Sequence, residues 1–433
     1  MGKAVLYTKL RLNSIIRFFI ISIVLIFAIK FFQSTPYEKD FFKIHAVFLG
    51  LIIIFTFIFI LDTIVKNKQM NSIIVYFLFL MIVTPIYSAI MSNIEFGQPL
   101  TYGLLTQRGW AVIGVGIYLY YLILSKKNIL LVIEKVFVIL SWISLLYFTY
   151  LYFTFDPNSI DSDSNFARVT VERGLRLKLN EYFITFGIVY YFIKFNSRKT
   201  IKFLLYFILF VSYALFIIQG RTYILEIFLT LVIYLYKDTK FSTFIIKIFI
   251  YLIAIMLFIF FIFTIYPEYL YKMADLFMQM ITVLTGELSK DNSANARIYE
   301  SAIVLNYFEA HPSSLWLGTG QLSHQWNNGY ESIFGYFFPA DIGLLGGLFQ
   351  YGVIGIFFLW LIPLYFSYRL IKRKPMFNSY FIQTLEYLLI YYMIRSINTG
   401  NYLLFIHEYI VIFFILYGSK FFNEKGKRND NEE

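Results

Sequence analysis

Apolar runs long enough to cross a bilayer recur almost from end to end of this chain, more than the interior of any soluble fold could take in. A helix needs roughly 20 apolar residues to span a hydrocarbon core of about 30 Å. Runs of that kind occupy Ile15 to Phe32, Ile44 to Ile64, Ser72 to Met91, Gly109 to Leu124, Ile129 to Phe155, Glu181 to Phe195, Ile201 to Ile218, Thr222 to Tyr236, Phe244 to Tyr266, Asp341 to Tyr368, Tyr380 to Ile397 and Tyr402 to Gly418. They are continuous and do not alternate in segments of about ten residues, which argues for helices over a barrel. The expected fold is therefore all-α, a polytopic membrane protein with about 12 transmembrane helices. With 59% of residues hydrophobic and only 15% charged, the composition leaves too little polar surface for a water-soluble globule.

Basic residues set the expected orientation. With the N-terminus inside, the inner connections carry 24 of the 37 Lys and Arg, including Lys66 and Lys68, Lys126 and Lys127, Arg198 and Lys199, and Arg369 with Lys372, Arg373 and Lys374. The positive-inside rule then places both termini in the cytoplasm. The basic start precedes an apolar run with no small-residue cleavage pattern, so it reads as an uncleaved first helix. The chain divides into 1–266 with helices 1 to 9, one large outward loop over 267–340, helices 10 to 12 over 341–419, and a charged cytoplasmic tail over 420–433. The connection Asp156 to Asn180 also faces outward. The net charge of +11 is mostly this topological bias, and no nucleic-acid partner is expected.

The absence of cysteine excludes disulfides and thiolate metal sites. Four histidines, at 45, 311, 324 and 407, are too few for a rich histidine cluster, and no acidic pair stands at ligand spacing, so no metal is expected. Neither a Walker-type phosphate loop nor a dinucleotide-binding glycine fingerprint occurs, and no cofactor is expected.

Sorted by side, the cations carry a second message. Inside there are 18 Lys and 6 Arg; outside there are 6 Lys and 7 Arg, namely Arg108, Arg168, Arg173, Arg176, Arg221, Arg297 and Arg395. Guanidinium recognises phosphate and carboxylate in a planar, bidentate way that an ammonium cannot reproduce. The outer face thus looks built for an anion, although scatter and interfacial snorkelling could also produce the bias. Arg221 lies in the short break Gln219-Gly220-Arg221-Thr222, with Glu226 one turn into the next helix, while Arg395, His407 and Glu408 occupy the outer portions of the last two helices. Ionisable groups at membrane depth persist mainly where they pair or line a wet cavity. Mutual neutralisation, Arg221 with Glu226 or Arg395 with Glu408, is the simplest alternative to a ligand site. Their outer depth favours a site that opens outward over a transport path.

Within the long loop, Met273 to Leu284 has the spacing of an amphipathic helix that lies on the bilayer or packs on the loop. Ala296 to Ala310 repeats the pattern, with Asn295 as a cap and Arg297 and Glu300 near its start. Arg297 can bind a phosphate there with help from the helix dipole, or simply pair with Glu300 on the surface. His311-Pro312 ends the helix, Leu317-Gly318-Thr319-Gly320 makes a glycine turn, and His324 follows. Trp316, Trp326, Tyr330 and Tyr336 suit sugar faces and equally suit a membrane interface. The chain re-enters the membrane through Pro339-Ala340-Asp341 and a glycine-rich run to Gly355, with the Asp341 carboxylate at the mouth of that helix, where a base could work.

Over roughly Gln219 to Gly355 the chain resembles the bacterial O-antigen polymerase and O-antigen ligase superfamily, the Wzy-type membrane glycosyltransferases. The likeness rests on Gly220-Arg221-Thr222 at a span start, Arg297 opening the loop helix, the Pro312 to Gly320 turn, and the Asp341 to Gly355 re-entry. Ligase-like members usually place a histidine just before the re-entrant helix; here Asp341 stands there and His324 lies earlier, which favours a polymerase. The resemblance implies glycosyl transfer from an undecaprenyl-diphosphate-linked oligosaccharide to another lipid-linked repeat unit at the outer side of the cytoplasmic membrane, for O-antigen or capsule. It implies the lipid bilayer and a chain-length regulator as partners. It also implies metal-independent catalysis, with Asp341 or His324 removing the acceptor proton and Arg221 and Arg297 holding the diphosphate, assisted by Arg173, Arg176 and Arg395.

Three other classes stay open. A lipid-linked oligosaccharide flippase or other transporter can show twelve helices and buried arginines, but such proteins need no single large outer loop and commonly show related halves, and no internal repeat is found here. An O-antigen ligase of the same superfamily is the second, and a scaffold within a polysaccharide assembly complex the third.

Overall fold

The computed structural model describes residues 2–66, 69–125, 128–156, 167–170, 174–177, 179–237, 240–249, 251, 253, 264, 271, 292–373, 379–399 and 406–429. Helices dominate them. In chain order these are α1 Gly2–Ala28, α2 Glu38–Val65, α3 Ser72–Phe96, α4 Leu100–Thr106, α5 Val112–Ser125, α6 Ile129–Thr154, α7 Tyr182–Arg198, α8 Ile201–Tyr213, α9 Arg221–Lys237, α10 Asn292–Ala310, α11 Pro312–Leu317, α12 Glu331–Phe334, α13 Gly343–Ile356, α14 Ile362–Lys372, α15 Tyr380–Thr399 and α16 Ile406–Asn429. One small antiparallel hairpin departs from the all-helical expectation: β1 Ala167–Thr170 pairs with β2 Gly174–Leu177, with Arg168 opposite Arg176 in register.

Among the described residues six helices are long and apolar enough to cross a membrane: Asp40–Val65, Ser72–Phe96, Leu100–Ser125, Ile129–Thr154, Ile201–Ile218 and Pro339–Lys372. The chain is a multi-pass membrane protein. Two of these segments depart from a plain apolar helix. Pro339–Lys372 passes through a break at Gly352, whose φ is 66°, and a wide turn at Phe357–Leu361. The Leu100–Ser125 segment begins earlier than the apolar run at Gly109, because α4 and the tight turn Gln107–Ala111 continue straight into α5. Most of the run Phe244 to Tyr266, and all of the amphipathic segment 273–284, lie outside the described residues.

Burial sorts the helices by place in the bundle. Residues 182–193 of α7 and 409–417 of α16 are buried throughout, the mark of helices with neighbours on every side. In contrast, α2 exposes Val47, Leu51, Phe55, Phe57 and Ile58, as a lipid-facing helix should. Apolar packing is not driven by water inside a bilayer, so contact depends on close fit. Gly116 and Gly187 supply it: a Cβ at either would stand 2.4 Å from the ring of Phe414 or Phe210.

Both ends of the bundle carry charge. At the end where α9 finishes, Lys420 Nζ lies 2.7 Å from Glu386 Oε1 and Lys237 Nζ lies 3.6 Å from Glu386 Oε2, with Lys420 also donating to the Leu370 and Arg373 carbonyls. Lys420, read from the sequence as the start of the tail, is thus buried inside the bundle, and the helix continues to Asn429. The chain after α9 returns as α10 to α12, which fold over the opposite end and build a separate aromatic core from Val304, Phe308, Leu322, Tyr330, Phe337 and Phe349.

Candidate functional site

The glycine turn of the loop works by closeness of backbone. Thr319 N–H donates to the Phe349 carbonyl at 2.8 Å and Gly320 N–H to the Gln350 carbonyl at 2.9 Å, so the turn pairs with the break in α13 much as two strands would. A Cβ on Gly318 would come within 2.5 Å of the Gln350 carbonyl oxygen, and one on Gly320 within 2.2 Å of the Ser88 carbonyl oxygen. Both glycines also hold positive φ, which L side chains adopt at a cost.

Polar side chains of α3 and the following turn hold this assembly. Gln107 Nε2 donates to Ser88 Oγ (2.7 Å) and Gln321 Oε1 (2.9 Å), while Trp110 Nε1 (2.8 Å) and Tyr351 Oη (3.2 Å) donate to Gln107 Oε1. Ser323 N–H donates to Gln98 Oε1 at 2.6 Å. Glu95 accepts from Tyr307 Oη at 2.9 Å and from Ser314 Oγ at 3.0 Å. Buried polar groups in low dielectric need partners, and a ladder this complete fixes one orientation of the loop segment on the bundle.

Beneath the segment lies a layer of charge. Arg395, in the last turns of α15, donates from Nη1 to Glu181 Oε2 at 2.7 Å and to Tyr391 Oη at 2.6 Å. Glu226, on the second turn of α9, is buried and accepts from Asn398 Nδ2 at 3.3 Å. Thr185 Oγ1 and Tyr223 Oη are 3.0 Å apart on the same side. Arg395 also feels the charges of Glu408 and Glu226. Arg221 opens α9 at this end, half-buried, because the left-handed Gln219 (φ 53°) and Gly220 reverse the chain with no slack.

Asp341 sits above this layer. It belongs to the tight turn Pro339–Ile342 and is exposed, with its N–H bonded to the Phe338 carbonyl at 2.8 Å. Gly343, which follows the turn and opens α13, presses on the end of α15 so closely that a Cβ would meet the Asn398 carbonyl oxygen at 2.4 Å. Asn398 therefore connects the Asp341 turn to Glu226. From the loop side, Glu300 of α10 reaches the same turn: its Oε1 accepts from Phe338 N–H at 2.9 Å, while its buried Oε2 has no hydrogen-bond partner among the described residues. Burial lifts the Glu300 carboxyl to about 7; the Phe338 N–H opposes this, the charge of Asp341 adds to it and Arg297 counters it. A carboxyl poised at neutral pH beside a second carboxylate is the usual setting for proton transfer.

The sequence candidates divide accordingly. The charges of Asp341 and Arg297 both act on Glu300, and Arg395 and Arg221 stand at the ends of α15 and α9. No hydrogen bond or ion pair among the described residues joins His324 to them: it is exposed, and its Nε2 lies 4.0 Å from Glu331 Oε2. Arg173 lies outside the described residues, and Arg176 is placed only as a backbone position on β2. Arg395 pairs with Glu181 and not with Glu408 alone, as sequence proximity implied. Arg297 and Glu300 do not form a surface pair, since Glu300 is fully buried and Arg297 exposed. The helix that carries them begins at Asn292, so Asn295 lies inside its first turn and is not the cap. His311 ends that helix as expected, its N–H bonded to the Tyr307 carbonyl and its ring stacked on Tyr307 at 4.6 Å. Of the loop aromatics, Tyr330 is core and donates to the Gly320 carbonyl at 2.5 Å, Trp326 packs on that core, and Trp316 and Tyr336 are exposed.

Glu181 and Glu300 are the residues that sequence reasoning missed. Glu181 was read only as a span boundary and Glu300 only as an ion-pair partner. An open groove of about 340 Å³ between α6 and α7, lined by Glu134, Lys135 and Tyr190, belongs to the opposite bundle end and not to this site. No protein-family model and no curated protein sequence matches the chain.

Proposed function

We propose that this chain is a polymerase of lipid-linked polysaccharide repeat units, of the O-antigen polymerase type, in the cytoplasmic membrane. The observation that carries the reading is a largely shielded Arg–Glu layer at the ends of α7, α9 and α15, next to a firmly seated loop segment with exposed Asp341 and buried Glu300. In this account twelve helices cross the membrane, both termini are cytoplasmic, and the Arg221 end of the bundle faces outward, as the distribution of Lys and Arg implies.

The chemistry follows from charge development. The anomeric carbon of an undecaprenyl-diphosphate-linked glycan is attacked by a hydroxyl of the acceptor glycan; the new glycosidic bond forms as the bond to the diphosphate breaks. Negative charge grows on the departing diphosphate, and preorganised guanidinium groups, Arg221 and Arg297, lower the barrier by meeting it there. Asp341 takes the proton of the attacking hydroxyl, and Glu300, protonated near neutral pH, buffers the adjacent charge. Arg395, already committed to Glu181 and Tyr391, serves to hold the site's floor.

Deleting the protein from its host and analysing the surface polysaccharide tests this reading. Single repeat units in place of long chains are expected. Unaltered chain length, or lipid-linked units trapped on the cytoplasmic side as for a lost flippase, would overturn it.

A further inference from the structure

At the end of the bundle remote from Asp341, the open groove of about 340 Å³ between α6 and α7 holds none of the residues assigned to glycan transfer. Leu131, Val138 and Ile139 give it an apolar wall, and Leu131 and Ile139 are exposed, so it opens toward lipid and not into the bundle. Glu134, Lys135 and Tyr190 complete the lining, and Tyr190 Oη donates to Glu134 Oε1 at 2.7 Å. Lys194 stands one turn beyond Tyr190 on α7, with Nζ 4.2 Å from the centre of the Tyr190 ring. Arg198, a further turn on, shares two rings with it. Lys194 Nζ lies 5.6 Å from the centre of Phe203 and 6.0 Å from that of Tyr380, and Arg198 Cζ lies 6.0 Å and 5.3 Å from the same centres. Phe203 belongs to α8 and Tyr380 opens α15, so rings of two neighbouring helices hold both cations beside the groove.

Lys135 and Arg198 are exposed and Lys194 is half-buried. Glu134, the one carboxylate in the lining, offsets one of these three charges, and the set stays positive. Cations on apolar helices lay their stems along the helix and bring their heads to the membrane surface. A basic pocket between membrane helices on the cytoplasmic side suits the phosphate of an anionic lipid headgroup. Cations already ordered against aromatic rings also lose less freedom when an anion arrives. We propose that this groove binds one anionic glycerophospholipid of the leaflet it faces, with an acyl chain against Leu131, Val138 and Ile139 and the headgroup phosphate held by Lys135, Lys194 and Arg198. Under the orientation proposed above, that leaflet is the cytoplasmic one. A zwitterionic lipid offers the same chains, but its own cation meets three others, so the groove selects against it. Nothing in the proposal rests on the polymerase reading.

Native mass spectrometry of the full-length protein in detergent, titrated with phosphatidylglycerol and separately with phosphatidylcholine, tests the site. The wild type should hold its first phosphatidylglycerol at least about tenfold more tightly than phosphatidylcholine. The Lys194→Gln/Arg198→Gln pair should weaken that binding by about fivefold for each cation removed. Ile139→Trp, which fills the groove from its exposed side and leaves every charge in place, should weaken it about tenfold. Arg369→Gln/Lys372→Gln removes the same charge from another helix at this end of the bundle and should leave the first lipid bound as before. The charge-conserving Lys194→Arg/Arg198→Lys pair guards against misfolding and should keep the lipid. Equal binding of phosphatidylcholine, full binding in Lys194→Gln/Arg198→Gln or in Ile139→Trp, or loss of the lipid in the charge-conserving pair would each overturn the proposal. An equal loss in Arg369→Gln/Lys372→Gln would show general surface attraction in place of a site. Displacement of the lipid by inorganic phosphate would show an anion site with no use for the groove, and would overturn it too.

Discussion

Arg395 and Glu181 join the last turns of α15 to the first residue before α7 by a 2.7 Å charge-assisted hydrogen bond, across 214 residues of sequence. The pair is mostly shielded, with side chains 18% and 24% exposed, so the bond is stronger than a surface ion pair and the loss of one partner strands the other. Arg395→Gln or Glu181→Gln alone should cost about 2 kcal/mol. The double variant should cost less than the sum, with a coupling of about 1 kcal/mol. Thermal unfolding of the four proteins in one detergent measures this; additive losses would mean that the two side chains do not act together.

Glu300 makes stability depend on pH in a stated direction. Its folded value is about 7 and its ordinary value 4.5, so the folded protein binds the extra proton between those limits. Stability is then full below the unfolded value and falls as pH rises through the folded one, by about 3 kcal/mol in all. Glu300→Gln, which keeps an acceptor for Phe338 N–H, should raise the unfolding temperature at pH 8 and leave it unchanged at pH 4. Equal shifts at both pH values would show that the carboxyl is not perturbed.

Gly320 tests the seating of the loop. With φ at 72° and a Cβ contact of 2.2 Å to the Ser88 carbonyl oxygen, alanine is strained in conformation and in space. The backbone alone accounts for about 1 to 3 kcal/mol. Gly320→Ala should expose residues 311–340 to limited proteolysis while the bundle stays intact, whereas Gly335→Ala, with nothing within 4 Å of its Cβ, should disturb packing less. Equal protease resistance in Gly320→Ala and wild type would contradict the tight docking described.

Much of this arrangement was legible beforehand, and the reasons differ by residue. The place of Arg221 at the start of α9 is legible because a charge in a four-residue break between apolar runs has nowhere else to be. The place of Asp341 at the mouth of a closely packed helix is legible because the glycine-rich run behind it announces close helix packing. Glu300 was misread because hydrophobic spacing on α10 cannot say that the backbone N–H of Phe338 meets its carboxylate and that the residue ends fully buried. Glu181 escaped because its partner, Arg395, is distant in sequence and only the assembled bundle makes them neighbours. His324 attracted attention by chemistry alone; it is exposed, and its neighbour is Glu331.

The most direct measurement of the central claim is chain growth by the purified protein, reconstituted in liposomes with undecaprenyl-diphosphate-linked repeat units and no nucleotide sugar. Wild-type protein should give a ladder of lipid-linked glycans that lengthen by one repeat at a time. Asp341→Asn and Arg221→Gln should each reduce its rate by about 100-fold or more, with folding unaffected. Movement of repeat units across the bilayer with no new glycosidic bond, or a full ladder from both variants, would contradict the account.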